Sequence, residues 1–280
     1  MKTVRLPSGE LVSALGQGTW FMGEQSSAQP QEIAALRLGL DLGMTLIDTA
    51  EMYADGRAEV VVGKALSDRP SRRDAAFVVS KVYPHNASRS GTITACERSL
   101  KRLQTDRIDL YLLHWRGQHP LAETVQAFEA LKSAGKIRDW GVSNLDVKAM
   151  TELWQVPGGQ AVAANQVLYN LGRRGVEWDL LPWLHRHGVA IMAYSPIEQA
   201  RLLRHKGLQS FAIRHGLRPA PVALAWLIAQ AGVMAIPKSA SEQHLRENAQ
   251  ALHMQLTPDQ LAELDQLFAP PRGPQALEVL

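Results

Sequence analysis

Met44-Thr45-Leu46-Ile47-Asp48-Thr49-Ala50-Glu51-Met52-Tyr53 begins as a short apolar run and ends on two groups that can move protons. The run suits a strand buried on both faces, as in a parallel sheet covered by helices. Asp48 closes it, and Tyr53 follows on the stretch that leads to the Gly56 turn. A carboxylate where a buried strand emerges, with a phenol on the loop beyond, is how a parallel α/β barrel displays its chemistry. Taken alone, the stretch also fits an Asp that caps a turn and a Tyr that covers core surface. Lys81 and His114, at two later strand ends, shift the balance towards chemistry.

Outward from this stretch the chain repeats itself. Residues 2–14 alternate around the turn cluster Pro7-Ser8-Gly9-Glu10 and predict a β-hairpin. A first barrel strand is expected near Ala14-Leu15-Gly16, and a helix runs from Pro30 through Leu42, Pro suiting a first helical turn that has no partner for its N–H. The pattern then predicts strands at 44–48, 76–81, 108–113, 137–142, 161–166, 189–194 and 233–236. Helices fall between them at 58–66, 92–103, 121–134, 146–154, 177–187, 208–215 and 221–230, with the last barrel helix at 241–249. Thr257-Pro258-Asp259-Gln260 signals one more helix, to Leu267. Eight strand–helix repeats without a linker between them predict one domain over 1–280, a single (β/α)₈ barrel with an N-terminal hairpin and an additional C-terminal helix. An open doubly wound sheet has no obvious place for eight repeats in one domain.

The composition is that of a globular protein with a sizeable core: 46% hydrophobic and 20% charged residues in a chain of 280. The net charge of +3 is dispersed, with only small knots such as Arg72-Arg73 and Arg173-Arg174, so no nucleic-acid-binding stripe is expected. Cys96 is the single cysteine, which excludes an intramolecular disulfide and a multi-cysteine metal site; its helical setting predicts a buried structural thiol. No run reaches the ~18 apolar residues of a membrane span, and the N-terminus lacks an apolar signal region, so a cytoplasmic protein with no membrane partner is expected. No obligate protein partner is evident.

A barrel brings the side chains beyond its strand ends to one mouth. Here these are Trp20, Asp48, Tyr53, Lys81, His114, Ser143, Asn144, Gln166, Tyr194, Ser195 and Lys238. A Lys ending an apolar strand is costly to desolvate without a carboxylate, and Asp48 is the candidate partner. Together these groups can donate a proton to a carbonyl oxygen. A free phenol, with a pKa near ~10, is a poor acid at neutral pH, and a neighbouring ammonium is expected to lower that value. Carbonyl reduction also needs a hydride, which no side chain supplies, so a nicotinamide is expected in the mouth.

The motifs Gly16-Gln17-Gly18-Thr19-Trp20, Asp48-Thr49-Ala50-Glu51-Met52-Tyr53, Ser80-Lys81 and Leu112-Leu113-His114-Trp115 resemble those of the aldo-keto reductases. So do Gly141-Val142-Ser143-Asn144, Asn165-Gln166, Ala193-Tyr194-Ser195-Pro196 and Ile236-Pro237-Lys238-Ser239, and the resemblance runs from the hairpin to about residue 270. It is nearest to bacterial members that reduce methylglyoxal and related small aldehydes. The resemblance implies NADPH-dependent reduction of small carbonyl compounds, with Tyr53 as general acid, Lys81 and Asp48 as its tuners, and His114 orienting the substrate. It implies that Ser143, Asn144 and Gln166 bind the carboxamide, that Tyr194 stacks on the nicotinamide, and that Ser195, Pro196 and Ile197 meet the pyrophosphate. It places Gly18, Thr19, Trp20 and Ile236 along the cofactor, Lys238, Ser239 and Ser241 at the 2′-phosphate, and Glu247 and Asn248 near the adenine. Trp20, Tyr53, His114 and Trp115 become the substrate pocket. Read singly, Asn144 also fits an N-cap and Gln166 a satisfied core amide.

In one respect the chain departs from the family. Many members carry Arg six residues after the Lys of Ile-Pro-Lys, where this chain has His244. An imidazole lacks the permanent charge and the fork of Arg, so NADPH is the expected cofactor with NADH possible. No Gly-x-Gly-x-x-Gly opens a helix after a strand, and no paired histidines have metal-ligand spacing, so a Rossmann site and a metal are not expected. Two other functions could use a barrel of this kind. A cofactor-sensing regulatory subunit is disfavoured by the intact tetrad, and a metal-dependent hydrolase by the missing ligands. The short segments 115–120 and 269–280 predict an open mouth of weak selectivity.

Overall fold

A computed structural model describes residues 2–280 of the protein. The hairpin comes first: β1 (Thr3–Arg5) pairs antiparallel with β2 (Leu11–Ser13), with Val4 opposite Val12. The barrel follows as β3 (Gly16–Gly18), α1 (Gln29–Asp41), β4 (Leu46–Asp48), α2 (Arg57–Leu66), α3 (Pro70–Ala75), β5 (Phe77–Val82) and α4 (Arg89–Leu103). It continues with β6 (Ile108–Leu113), α5 (Leu121–Ser133), β7 (Ile137–Ser143), α6 (Val147–Gln155), β8 (Ala164–Leu168), α7 (Leu180–Arg186) and β9 (Ala190–Tyr194). It ends with α8 (Lys206–Arg214), α9 (Pro219–Leu227), β10 (Val233–Ala235), α10 (Glu242–Ala249) and the additional α11 (Pro258–Leu267).

The eight strands β3 to β10 pair in chain order, each parallel to the next. Parallel bridges Leu15–Ala235 and Gly18–Lys238 join the first strand to the last and close the barrel. Gly18 suits that seam because a Cβ there would meet the Ile236 carbonyl oxygen at 2.8 Å. Every residue of β5 and β6 is buried, as strands covered on both faces by barrel and helices must be. Helix ends are set by local chemistry: Ser88, Asp146 and Ser241 cap α4, α6 and α10, and Thr257 with Gln260 forms a full capping box on α11.

Several boundaries differ from the sequence expectation. The first barrel strand lies at Gly16–Gly18 rather than 14–16, because glycines carry no side-chain periodicity to mark it. β8 starts at Ala164, later than expected, because Gly159–Ala161 form a short 3₁₀ turn. β5 extends to Val82, so Lys81 lies inside the strand instead of ending it. Helix α3 was not expected, since its Arg-rich sequence has no buried face to pattern it.

Candidate active site

The C-terminal ends of β4, β5 and β6 bring three of the four acid–base groups together. Lys81 is fully buried, and its ammonium donates to Asp48 Oδ2 at 2.8 Å and to the Thr49 carbonyl at 2.8 Å, with the Tyr53 hydroxyl at 3.4 Å. Those three acceptors match the three donors of an ammonium. Asp48 spends its other oxygen on Gln166 Nε2, at 2.8 Å. Tyr53 reaches this point because Ala54, Asp55 and Gly56 all turn left-handed after it and send the chain into α2. Glu51 braces the same loop, accepting from the Tyr83 N–H at 2.8 Å and from Asn86 at 3.0 Å. His114, just past β6, lies edge-on to the Tyr53 ring, with centroids 5.7 Å apart.

These groups floor a cavity of about 460 Å³ at the barrel mouth, within the usual size of a small-molecule site. A model of the Aldo/keto reductase family matches residues 14–269. The chain belongs to that family. It is similar over its whole length to methylglyoxal reductase YeaE of Escherichia coli K12, with 51% identity covering 100% of this chain and 99% of the relative. Glyoxal reductase of Bacillus subtilis is 33% identical, covering 99% of this chain and 97% of the relative. An aldo/keto reductase from Klebsiella pneumoniae, solved in complex with NADP and acetate, superposes with a TM-score of 0.96 at 50% identity, covering 100% of this chain and 99% of that one. A Klebsiella pneumoniae aldo-keto reductase in complex with NADPH gives 0.95 at 51% identity, with the same coverage. The (β/α)₈ architecture and the oxidoreductase class are those of the family.

The electrostatics of this reductase's floor differ from the sequence expectation at Tyr53. Burial and the nearby Asp48 carboxylate push its phenol well above the ordinary value, where Lys81 was expected to lower it. Burial is the larger cause, and the Lys81 ammonium, bound to Asp48 at 2.8 Å, does not offset it. Burial pulls Lys81 below its usual range, while Asp48 and, more weakly, Glu59 act in the opposite sense. His114 is pushed down to about 2 by burial, with the Lys81 charge adding to the effect, so its imidazole is neutral. Its Nδ1 is buried without a hydrogen-bond partner among the described residues.

Around the floor, the structure brings most of the candidate residues to the cavity. Gly18, Trp20, Asp48, Tyr53, His114 and Trp115 line it. Ser143, Asn144, Gln166, Tyr194, Ser195, Pro196 and Ile197 line it too. Ile236, Lys238, Ser239, His244, Glu247 and Asn248 complete this set. Asn144 does not cap α6, which Asp146 does; it sits left-handed with its amide oxygen accepting from the Tyr194 hydroxyl at 3.0 Å. Ser143 Oγ donates to the Gln166 carbonyl at 2.9 Å. Tyr194 is pushed up to about 12 by burial.

Three candidates stay out of the cavity lining. Thr19 is fully buried and its hydroxyl donates to the Asp48 carbonyl at 3.0 Å, which ties β3 to β4. Ser241 caps α10 by accepting from the His244 N–H at 3.4 Å, so its hydroxyl is engaged by the helix. Lys81 lies behind Asp48 and Tyr53 and touches the cavity through them.

Sequence reasoning missed Phe21, Met52, Gln199, Ala200, Leu203 and Leu280, all of which line the cavity. Phe21 stacks on Trp20 with centroids 4.3 Å apart, and the adjacent aromatics were a readable signal for it. Leu280 had none. The tail was expected to leave the mouth open, yet it returns to the site and the Leu280 N–H meets the Tyr194 hydroxyl at 3.4 Å. Among the described residues no cluster of three or more His, Cys, Asp or Glu could hold a metal, and no helix is long and apolar enough to cross a membrane. Cys96 is fully buried, and burial pushes its thiol up to about 12, which makes it unreactive.

Proposed function

We propose that this reductase uses NADPH to reduce small aldehydes and 2-oxoaldehydes of the methylglyoxal type to alcohols, with Tyr53 as the general acid. The observation that carries the reading is the chain from Tyr53 to Lys81 at 3.4 Å and on to Asp48 at 2.8 Å, on the floor of the cavity. The activities for which the Escherichia coli and Bacillus subtilis relatives are named support the substrate class, and the Klebsiella pneumoniae complexes support the cofactor.

The cavity fits NADPH chemically: Lys238, Ser239 and His244 offer donors for a phosphate, and Ser143, Asn144 and Gln166 bring polar groups to the same cavity. When bound, NADPH would supply the hydride. The chain supplies the rest. Tyr53 keeps its proton at neutral pH, because burial and Asp48 disfavour the phenolate, and is therefore loaded as an acid. As charge builds on the carbonyl oxygen, the phenol O–H bond breaks and the alcohol O–H bond forms. The phenolate left behind faces the Lys81 ammonium, which Asp48 and the Thr49 carbonyl hold still. A neutral His114 retains one N–H to orient the carbonyl without adding a second cation. Asn144, Ser143 and Gln166 would hold the carboxamide, and Tyr194 would offer a ring for the nicotinamide.

Oxidation of NADPH followed by absorbance with methylglyoxal, and again with NADH, tests the reading. Tyr53→Phe should lower turnover by about 10²–10⁴ with NADPH affinity unchanged. Near-normal turnover in that variant would remove the acid assignment.

A further inference from the structure

The Arg173-Arg174 doublet lies outside the acid–base site, yet it grips both ends of the C-terminal tail. Arg174 Nη1 donates to the Phe268 carbonyl at 2.6 Å and to Asp265 at 2.6 Å, where the tail leaves α11. The tail then crosses Gly175, where a Cβ would meet Gln275 Oε1 at 2.7 Å. Arg173 Nη1 pairs with Glu278, two residues before Leu280 enters the cavity.

The other face of the same guanidinium holds the loop after β9. Arg173 Nε and Nη2 donate to Glu198 Oε1 at 3.1 and 3.0 Å. Glu198 also accepts from Asn170 at 2.7 Å and from Arg201 at 2.9 Å. Asn170, fully buried, reaches the Ser195 carbonyl as well, at 2.9 Å. The loop needs this support, because Ser195, Glu198, Gln199 and Ala200 are all left-handed without being glycine. Ser195, Gln199 and Leu203 of this loop line the cavity, as Leu280 of the tail does. Two walls from distant parts of the chain thus meet on one side chain.

We propose that Arg173 is a positioning residue that fastens the tail and the 195–203 loop into a single wall, so that a cofactor bound under the loop also orders the tail beside the substrate. The proposal rests on the reductase reading above. Arg suits the post because its planar fork serves two carboxylates at once, which a Lys ammonium on a flexible stem does less well.

Three variants separate its parts: Glu278→Ala removes the tail arm, Arg173→Met removes both arms, and Arg173→Lys keeps only the charge. Glu278→Ala should raise KM for methylglyoxal and phenylglyoxal about two- to fivefold, the worth of one partly exposed ion pair, with kcat and NADPH affinity unchanged. Arg173→Met should weaken NADPH binding as well, and adding Glu278→Ala to it should change nothing further. Arg173→Lys should restore NADPH affinity more fully than KM. Salt near ~1 M should raise wild-type KM towards the Glu278→Ala value and leave that variant's own KM flat, since screening removes the same contact.

Hydrogen exchange over residues 275–280, with and without NADPH, gives a readout that needs no turnover. NADPH should slow exchange there in the wild type and not in Arg173→Met. If the wild type reduces no aldehyde but NADPH protects the tail through Arg173, the substrate reading falls and the clamp stands. If aldehydes are reduced while Glu278→Ala leaves KM and tail exchange unchanged, the clamp is overturned. Should Arg173→Met fail to fold, Glu278→Ala decides alone.

Discussion

Asp48 and Asp109 are both buried carboxylates on strands of the same barrel, and both are paired with cations, yet only one can take part in chemistry. Asp109 sits near the start of β6, at the end opposite the mouth. It accepts from the Val78 N–H at 2.8 Å, from Arg73 at 3.0 Å and from Arg138 at 3.3 Å, and Arg138 also reaches Glu10 of the hairpin at 2.9 Å. Guanidinium groups do not release protons in proteins, so this knot is fixed in charge and in shape. Asp48 instead holds a single ammonium whose pKa burial has lowered, next to a phenol and an open cavity. Arginine at one end of the barrel secures strands and hairpin, whereas lysine at the other leaves a charge that can respond to a neighbour.

The sharpest way to break the contrast is Lys81→Met, which strips the ammonium and strands a buried carboxylate. It should cost about 3–5 kcal/mol of stability together with most of the reductase activity. Urea unfolding and turnover measured on one preparation check both, and a wild-type midpoint would mean Asp48 does not depend on Lys81. Asp109→Asn is the mirror experiment. It should lower stability by about 2–3 kcal/mol while kcat stays at the wild-type level, since nothing in its network reaches the cavity.

Smaller effects sharpen the picture at the mouth. Lys238→Ala should weaken NADPH roughly ten- to a hundredfold and NADH hardly at all, as loss of one charge-assisted bond to a 2′-phosphate implies. Equal losses for the two cofactors, measured by titration, would take Lys238 away from that phosphate. His244→Arg should widen the preference for NADPH.

A further effect is a slope in acid. His114 is neutral in the fold, with its pKa pushed down to about 2, whereas the unfolded chain takes up the proton near ~6.5. Below that pH the unfolded state binds more protons, so stability falls by about 1.4 kcal/mol for each pH unit. Denaturation midpoints between pH 6.5 and 4.5 should fall less steeply in His114→Asn, and parallel slopes would contradict the assignment.

Much of this was legible in the sequence because it rests on local patterns. The apolar runs and the residues at their ends announced eight repeats and the tetrad, since both follow from period and position along the chain. What the sequence concealed depends on contacts made at long range. The direction of the Tyr53 shift turns on how deeply the fold buries the phenol and on the Asp48 carboxylate it meets there, which only the folded contacts decide. Thr19 and Ser241 carry the right chemistry in the right motifs, but one is spent on the Asp48 carbonyl and the other on a helix cap. Leu280 lies far in sequence from every other wall residue, and no local pattern could bring it to Tyr194.

The seam between β3 and β10 has a consequence for how the molecule is made. The first barrel strand waits for the last: Ala235 donates to the Ala14 carbonyl at 2.8 Å, and Gly18 to that of Pro237 at 3.0 Å. Until those residues leave the ribosome, the growing sheet carries raw edges on both sides, and the first edge is short and glycine-rich. Such an edge offers little to an unwanted neighbour. Ring closure is therefore a late event that joins the first and last strands of the barrel, a contact of high sequence separation that makes folding slow.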